Sequence, residues 1–213
     1  MLLPPLLGSI VSIGALRWID PPTSAFMLRE RWLTGSPVAH AWRDWDDIAA
    51  PMKLAAIAAE DQRFPAHFGF DVKEIAASLD EARDGGRLRG ASTITQQVAK
   101  NLLLWPGQDW VRKVLEAYFT ALIELCWPKR RILEIYLNVA ELGDGIYGVE
   151  AAANAYYRKS AAHLGAPESA LLAAVLPNPK RLRVEAPSAY VRDRQAWILA
   201  QMKRLGPGYV AAL

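Results

Sequence analysis

Apolar residues recur at helical spacing through most of this chain, and strand-like alternation is almost absent after the first forty residues. The run WVRKVLEAYFTALIEL sets Val111, Val114, Leu115, Tyr118, Leu122 and Leu125 on one face of a helix. DDIAAPMKLAAIAAE reads as a helix with an Asp-rich start and Pro51 near its first turn. DVKEIAASLDEARDGG reads as a second, stopped by Gly85 and Gly86. PKRRILEIYLNVAEL, opened by Pro128, is followed by the shorter patterns GVEAAANAYY and PESALLAAVL. An irregular stretch, PNPKRLRVEAPSAY, precedes a last helix, VRDRQAWILAQMKRL. The expected fold is all-α and irregular rather than a simple bundle. A chain of 213 residues suffices for one well-buried core and is short for two.

The amino terminus stands apart. Met1 to Leu16 carry no charged side chain, and Arg17, Trp18 and Asp20 close the run like an interfacial boundary. A membrane anchor over residues 1–19 is the expectation, with a linker over 20–41 and one domain over 42–213. The apolar run is slightly shorter than the ~20 residues of a spanning helix, and Pro4 and Pro5 interrupt it. A signal peptide lacks its basic leader here, and a buried helix is the remaining alternative.

Composition narrows the chemistry. Net charge is +3, which suits an anionic partner without choosing one. Cys126, the lone cysteine, can form neither an internal disulfide nor a zinc cluster and reads as a small core hydrophobe. His40, His67 and His163 lie far apart, with no paired-histidine spacing for a transition metal. GDGIYG matches the dinucleotide fingerprint in letters, yet it follows a helical pattern instead of a strand; a helix-ending turn accounts for its glycines.

Three segments carry candidate chemistry. In AAEDQRFPAHFGFD, Glu60 and Asp61 stand at a helix carboxyl end, against the dipole. Phe64, Pro65 and Phe68 follow, and apolar neighbours raise a carboxylate pKa toward the range a general acid or base uses. In GASTITQQVAKNL, Thr93 and Gln96 have capping-box spacing, while Ser92, Gln96 and Lys100 recur every four residues. Taken alone, an ordinary solvated face with a good cap accounts for such a stripe better. In VRKVLEA, Glu116 falls four residues after Arg112 and three after Lys113, as a surface ion-pair cluster or as a cationic site for a phosphate.

Taken together, EDQRFPAHFGFD, GASTITQQVAKNL, RKVLEAYFTALIEL and KRRILEIYLNVAELGDGIYGVEAAANAYY resemble, in order and wording, the peptidoglycan glycosyltransferases that polymerise lipid II. The resemblance runs from about Trp42 to Met202 and is closest to the monofunctional biosynthetic transglycosylases of Gram-negative bacteria. Neither S-x-x-K, S-D-N nor K-T-G occurs, so no transpeptidase domain is expected.

The resemblance implies a lysozyme-like, two-lobed helical domain. It makes Glu60 the general base, Glu116 the second essential glutamate, and Asp61 a supporting acid with Phe64 beside it. Ser92, Gln96, Gln97, Lys100, Arg112 and Lys113 match the sugar and diphosphate contacts. No cofactor is required by this reading, with Mg or Mn at the diphosphate as an option. The implied partners are lipid II, the growing lipid-linked glycan, the inner membrane, and other cell-wall synthesis or division proteins, with no nucleic acid. The implied location is the bacterial inner membrane, single-pass, with the catalytic domain in the periplasm.

One position departs from the family pattern: Gln108 stands in PGQDW where relatives usually carry arginine. The rival readings are a lysozyme-like lytic transglycosylase and a non-catalytic scaffold for cell-wall synthases. The first has no diphosphate to neutralise and so no need of the cations after Ser92.

Overall fold

The computed structural model describes residues 3–35, 37–83, 92–107 and 109–213. Gln108 and the stop at Gly85 and Gly86 lie outside the described residues. The chain is mainly helical, with long elements where periodicity predicts them.

At the centre stands α3 (Ala50–Glu60), which packs against both α9 (Ala166–Val175) and α10 (Ala189–Leu205); those two also pack on each other. Small side chains make this approach close. Ala55, Ala56 and Ala58 of α3 and Ala170, Ala173 and Ala174 of α9 are all fully buried. Pro51 lies in the first turn of α3, where its missing N–H leaves no bond unmade. A second group forms around α5 (Ile94–Leu103), which packs against α6 (Trp110–Cys126) and α7 (Lys129–Val139).

Helix α6 forms as its periodicity predicts, but only part of the apolar stripe, Leu122 and one side of Tyr118, meets the core. Val111, Val114 and Leu125 are exposed, whereas Arg112, Glu116, Thr120 and Glu124 are buried together with Leu122 and Ile123. The inward polar groups are paired: Glu124 accepts from Thr95 at 2.6 Å and Lys129 at 2.7 Å. Pairing of this kind removes most of the penalty for burying charge.

The apolar amino terminus forms α1 (Leu3–Ala15), which lies against α6. Ile13 is buried, its carbonyl accepts from the Trp127 indole at 2.7 Å, and Ser9 meets the Tyr118 hydroxyl at 2.7 Å. Arg131 donates to the carbonyls of Leu16 and Ile19, the cationic cap that a helix end favours. Leu6, Leu7, Ile10 and Val11 remain exposed. Thirteen residues rise about 20 Å, less than the ~30 Å of a hydrocarbon core. Among the described residues, no helix is long and apolar enough to cross a membrane.

The all-α expectation needs one correction. GDGIYG builds a hairpin, not a simple helix-ending turn. Strand β2 (Glu141–Gly143) pairs antiparallel with β3 (Ile146–Tyr147), and β1 (Ala39–His40) adds in parallel to β3, giving the order β1-β3-β2. Gly148 follows at φ 81°, and a Cβ there would lie 2.6 Å from the Asn138 carbonyl oxygen. That glycine is therefore a backbone requirement of the passage into α8 (Val149–Tyr157).

Candidate active site

Glu60 is the last residue of α3, and the fold meets its carboxylate from two sides. From α5, Gln97 Nε2 donates to Oε2 at 2.9 Å; from α10, Arg194 Nη2 reaches Oε1 at 3.3 Å. Gln97 is itself oriented, because its Oε1 accepts from the buried Tyr136 hydroxyl at 3.3 Å. Burial raises the Glu60 pKa above the ordinary glutamate value, against the lowering effects of Gln97, Arg194 and Lys100. A carboxylate held by two donors and still easier to protonate than a free glutamate has the character of a proton acceptor. The apolar surroundings expected from Phe64 and Phe68 take another form. Phe64 is buried in the core with the Lys129 ammonium 4.5 Å from its ring centre, and Phe68 is 58% exposed.

Asp61 turns inward. Its Oδ2 accepts from the Ile94 N–H at 3.0 Å, at the amino terminus of α5, and Oδ1 meets His67 Nε2 at 2.8 Å. The first of these bonds fixes the start of α5 to the end of α3, so Asp61 supports the register between Glu60 and Gln97. Asp61, His67 and Asp71 bring ligand-type atoms within 4.8 Å of one another. Asp71 is taken by Arg63 at 2.7 Å and by two backbone N–H groups, which makes the trio a hydrogen-bonded turn.

Along α5 the structure separates the residues that spacing grouped together. Thr93 caps the helix, accepting from Gln96 N at 3.2 Å while Gln96 Oε1 accepts from Thr93 N at 3.0 Å, so the predicted capping box is present. Gln96 is thereby committed to its own helix and buried, and Ser92 is exposed one residue before the cap. Gln97 and Lys100 face the cleft. They line, with Phe26, Asn101, Tyr147 and Pro177, a cavity of ≈ 140 Å³.

Lys100 makes no ion pair among the described residues, and its nearest ring is Phe26 at 5.9 Å. Burial lowers its pKa, opposed chiefly by the field of Glu116 and, more weakly, of Glu60. A half-buried ammonium without a counter-ion is a seat for an anion that arrives from outside.

The third cluster lies on the buried face of α6. Arg112 pairs with Glu116 Oε2 at 2.6 Å, and Lys113 Nζ pairs with Oε1. Arg112 and Glu116 are buried whereas the Lys113 side chain is 54% exposed. Asp109 caps the helix by accepting from Arg112 N at 2.8 Å. The cations open to an outer groove walled by Trp110 and Val114. Lys100 feels the charges of Arg112, Lys113, Glu116 and Glu60 together, so base and cations form one electrostatic unit. Arg194 and Tyr136 are the members that sequence reasoning missed, and no local spacing points to either.

The family model described as Transglycosylase matches residues 29–203. The biosynthetic peptidoglycan transglycosylase of Xanthomonas campestris pv. campestris (strain B100) is 53% identical over 212 residues, covering 96% of this chain and 86% of that protein. The protein of the same name in Stutzerimonas stutzeri (strain A1501) is 52% identical over 203 residues, 93% of this chain and 84% of the relative. That of Ectopseudomonas mendocina (strain ymp) is 52% identical over 206 residues, 94% and 85% respectively. With its helical core, the Glu60 cleft and this likeness over nearly all its length, the chain belongs to the transglycosylase family.

Proposed function

We propose that the chain is a peptidoglycan glycosyltransferase that polymerises lipid II for cell-wall synthesis on a lysozyme-like, two-lobed fold. The observation that carries the reading is the placing of Glu60, a carboxylate held by Gln97 and Arg194, on the same cleft as Lys100, an ammonium that has no counter-ion among the described residues. Glu60 removes the proton of the acceptor's 4-hydroxyl as that oxygen bonds to the donor's anomeric carbon. The bond from that carbon to the lipid diphosphate breaks, and its electron pair leaves with the diphosphate. Attack from the face opposite an α-linked leaving group yields a β link, with inversion. Lys100, Arg112 and Lys113 offset the charge on the departing diphosphate.

Glu116 has both oxygens engaged by Arg112 and Lys113, which does not fit the donor set of a resident Mg or Mn ion. Charge compensation accordingly rests on the cations themselves, and Glu116 spaces the two of them.

Lipid II and the lipid-linked glycan are the substrates, at the outer leaflet of the inner membrane, with the catalytic domain in the periplasm. Exposed Leu7 and Val11 on α1 and Val114 and Leu125 on α6 support membrane attachment through residues 1–19. Incubation of purified protein with labelled lipid II tests the reading. Glycan polymer from the wild type and none from Glu60→Gln is the expected result. Breakdown of preformed glycan with no polymerisation would assign the lytic reaction instead.

A further inference from the structure

The carboxyl end of α3 is completed by side chains, because the last carbonyls of a helix have no helical N–H to accept from. The Gln62 amide donates to the Ala58 carbonyl at 3.1 Å, and Arg194 reaches the Ala59 carbonyl at 3.4 Å. Beyond Glu60 the chain leaves the helix at Asp61, with φ −160° and ψ 76°. Among the described residues, no backbone N–H donates to the Gln62 carbonyl; the Tyr209 hydroxyl does so, at 2.7 Å.

Tyr209 arrives from 147 residues further along the chain. Helix α10 ends at Leu205, and Gly206, at φ 78°, turns the chain back. A single helical turn, α11 (Gly208–Ala211), then packs against α3. Val210 is buried there and Leu213 packs on the core, so the turn has its own apolar anchor. Burial and the Asp61 charge raise the Tyr209 hydroxyl pKa, which keeps the group a donor through the neutral range. We propose that Tyr209 is a positioning residue for the base: by holding the Gln62 carbonyl it fixes the loop that sets Glu60 against Gln97 and Arg194. The proposal rests on the transferase reading, with Glu60 as base. Asp61 Oδ2 ties the same loop to the Ile94 N–H of α5, so residues 61 and 62 are gripped from two separate elements. The next side chain, Arg63, pairs with Asp71 inside the same segment and gives the loop no outside anchor. Without the tyrosine bond the loop is free to pivot about Asp61.

Tyr209→Phe keeps the ring and removes the hydroxyl. With labelled lipid II as substrate, kcat is expected to fall by about fivefold to tenfold, the effect of losing one hydrogen bond, while KM stays near the wild-type value. Glu60 is faced by Arg194 from α10, Lys100 from α5 and Tyr136 from α7, and its contacts with Gln97 and Arg194 lower its pKa. A loosened loop weakens those contacts, so the acidic limb of kcat/KM should move to higher pH. Leu164→Ala, a truncation in the core outside the cleft, is the control for stability. It should melt lower than wild type with its acidic limb in place. A limb that does not move in Tyr209→Phe, or that moves as far in Leu164→Ala, would overturn the inference and leave the transferase reading standing. No polymer from wild type would instead overturn the transferase reading.

Discussion

Gln97 Nε2 donates to Glu60 Oε2 at 2.9 Å, which joins the amino-terminal half of α5 to the carboxyl end of α3. The base is thus held by an amide whose own orientation is set by Tyr136. Glu60, Gln97 and Tyr136 act as a chain in which each link restricts the next.

Arg194 lowers the Glu60 pKa through charge and hydrogen bonding, so its removal lets the carboxyl hold its proton more tightly. The base works ionised, and the acidic limb of kcat/KM should therefore lie above the ordinary glutamate range. In Arg194→Met the limb should move to still higher pH, with activity recovering as pH rises. A pH–rate profile in which the limb does not move would remove Arg194 from this role.

Stability carries the same signature. The folded pKa of Glu60 is raised above its unfolded value, so the stability that goes with its protonated form is full below the unfolded pKa and is lost as pH rises through the folded pKa. Glu60→Gln, which the proposed role makes inactive, should melt higher than wild type at pH 8. The advantage should shrink as pH falls through the folded pKa, and vanish below the unfolded value of about 4.3. Parallel melting curves at all pH values would contradict the burial argument.

Lys100 has its pKa lowered by burial, and the proposed role at the diphosphate needs its charged form. A basic limb is expected below the ordinary lysine range. Lys100→Arg, charged throughout, should retain measurable activity and lose that limb. Survival of the limb in the arginine variant would place it on another group.

Gly148 combines φ 81° with a Cβ position 2.6 Å from the Asn138 carbonyl oxygen. Gly148→Ala should destabilise by about 2–4 kcal/mol in chemical denaturation, since backbone must move to admit one methyl. A loss below about 0.5 kcal/mol, the range of surface substitutions, would show that the hairpin exit is plastic.

Gln108 supplies no charge at the position where the family resemblance leads one to expect arginine, and a charge-assisted bond to phosphate is stronger than a neutral one. Gln108→Arg should lower the apparent donor KM by about fivefold. An unchanged or higher KM would mean that the remaining cations suffice.

What could be read from the sequence follows the range of the interactions. Arg112, Lys113 and Glu116 were legible because one helical turn brings them together, and the structure keeps them paired. Glu60 was legible by its place against the helix dipole. Arg194 stands 134 residues from Glu60, and no pattern along the chain connects them. Gln96 and Gln97 differ by one step of helix rotation. The capping box draws Gln96 to Thr93, and Gln97 turns to Glu60. Strands of two or three residues hold too little alternation to be seen, so the β1-β3-β2 sheet emerged only with the fold. Helix α1 was read from its lack of charge, which identifies an apolar element without saying what length of it becomes regular.

Helix α6 carries ion-paired chemistry on its inner side and bare hydrocarbon on its outer side, and the two alternate within each turn of one continuous sequence. Affinity for a greasy surroundings and affinity for a charged ligand are therefore separately adjustable traits. Val111 and Leu125 can be redesigned for handling in water without touching the pairs formed by Glu116, whereas Val114 walls the groove onto which those cations open.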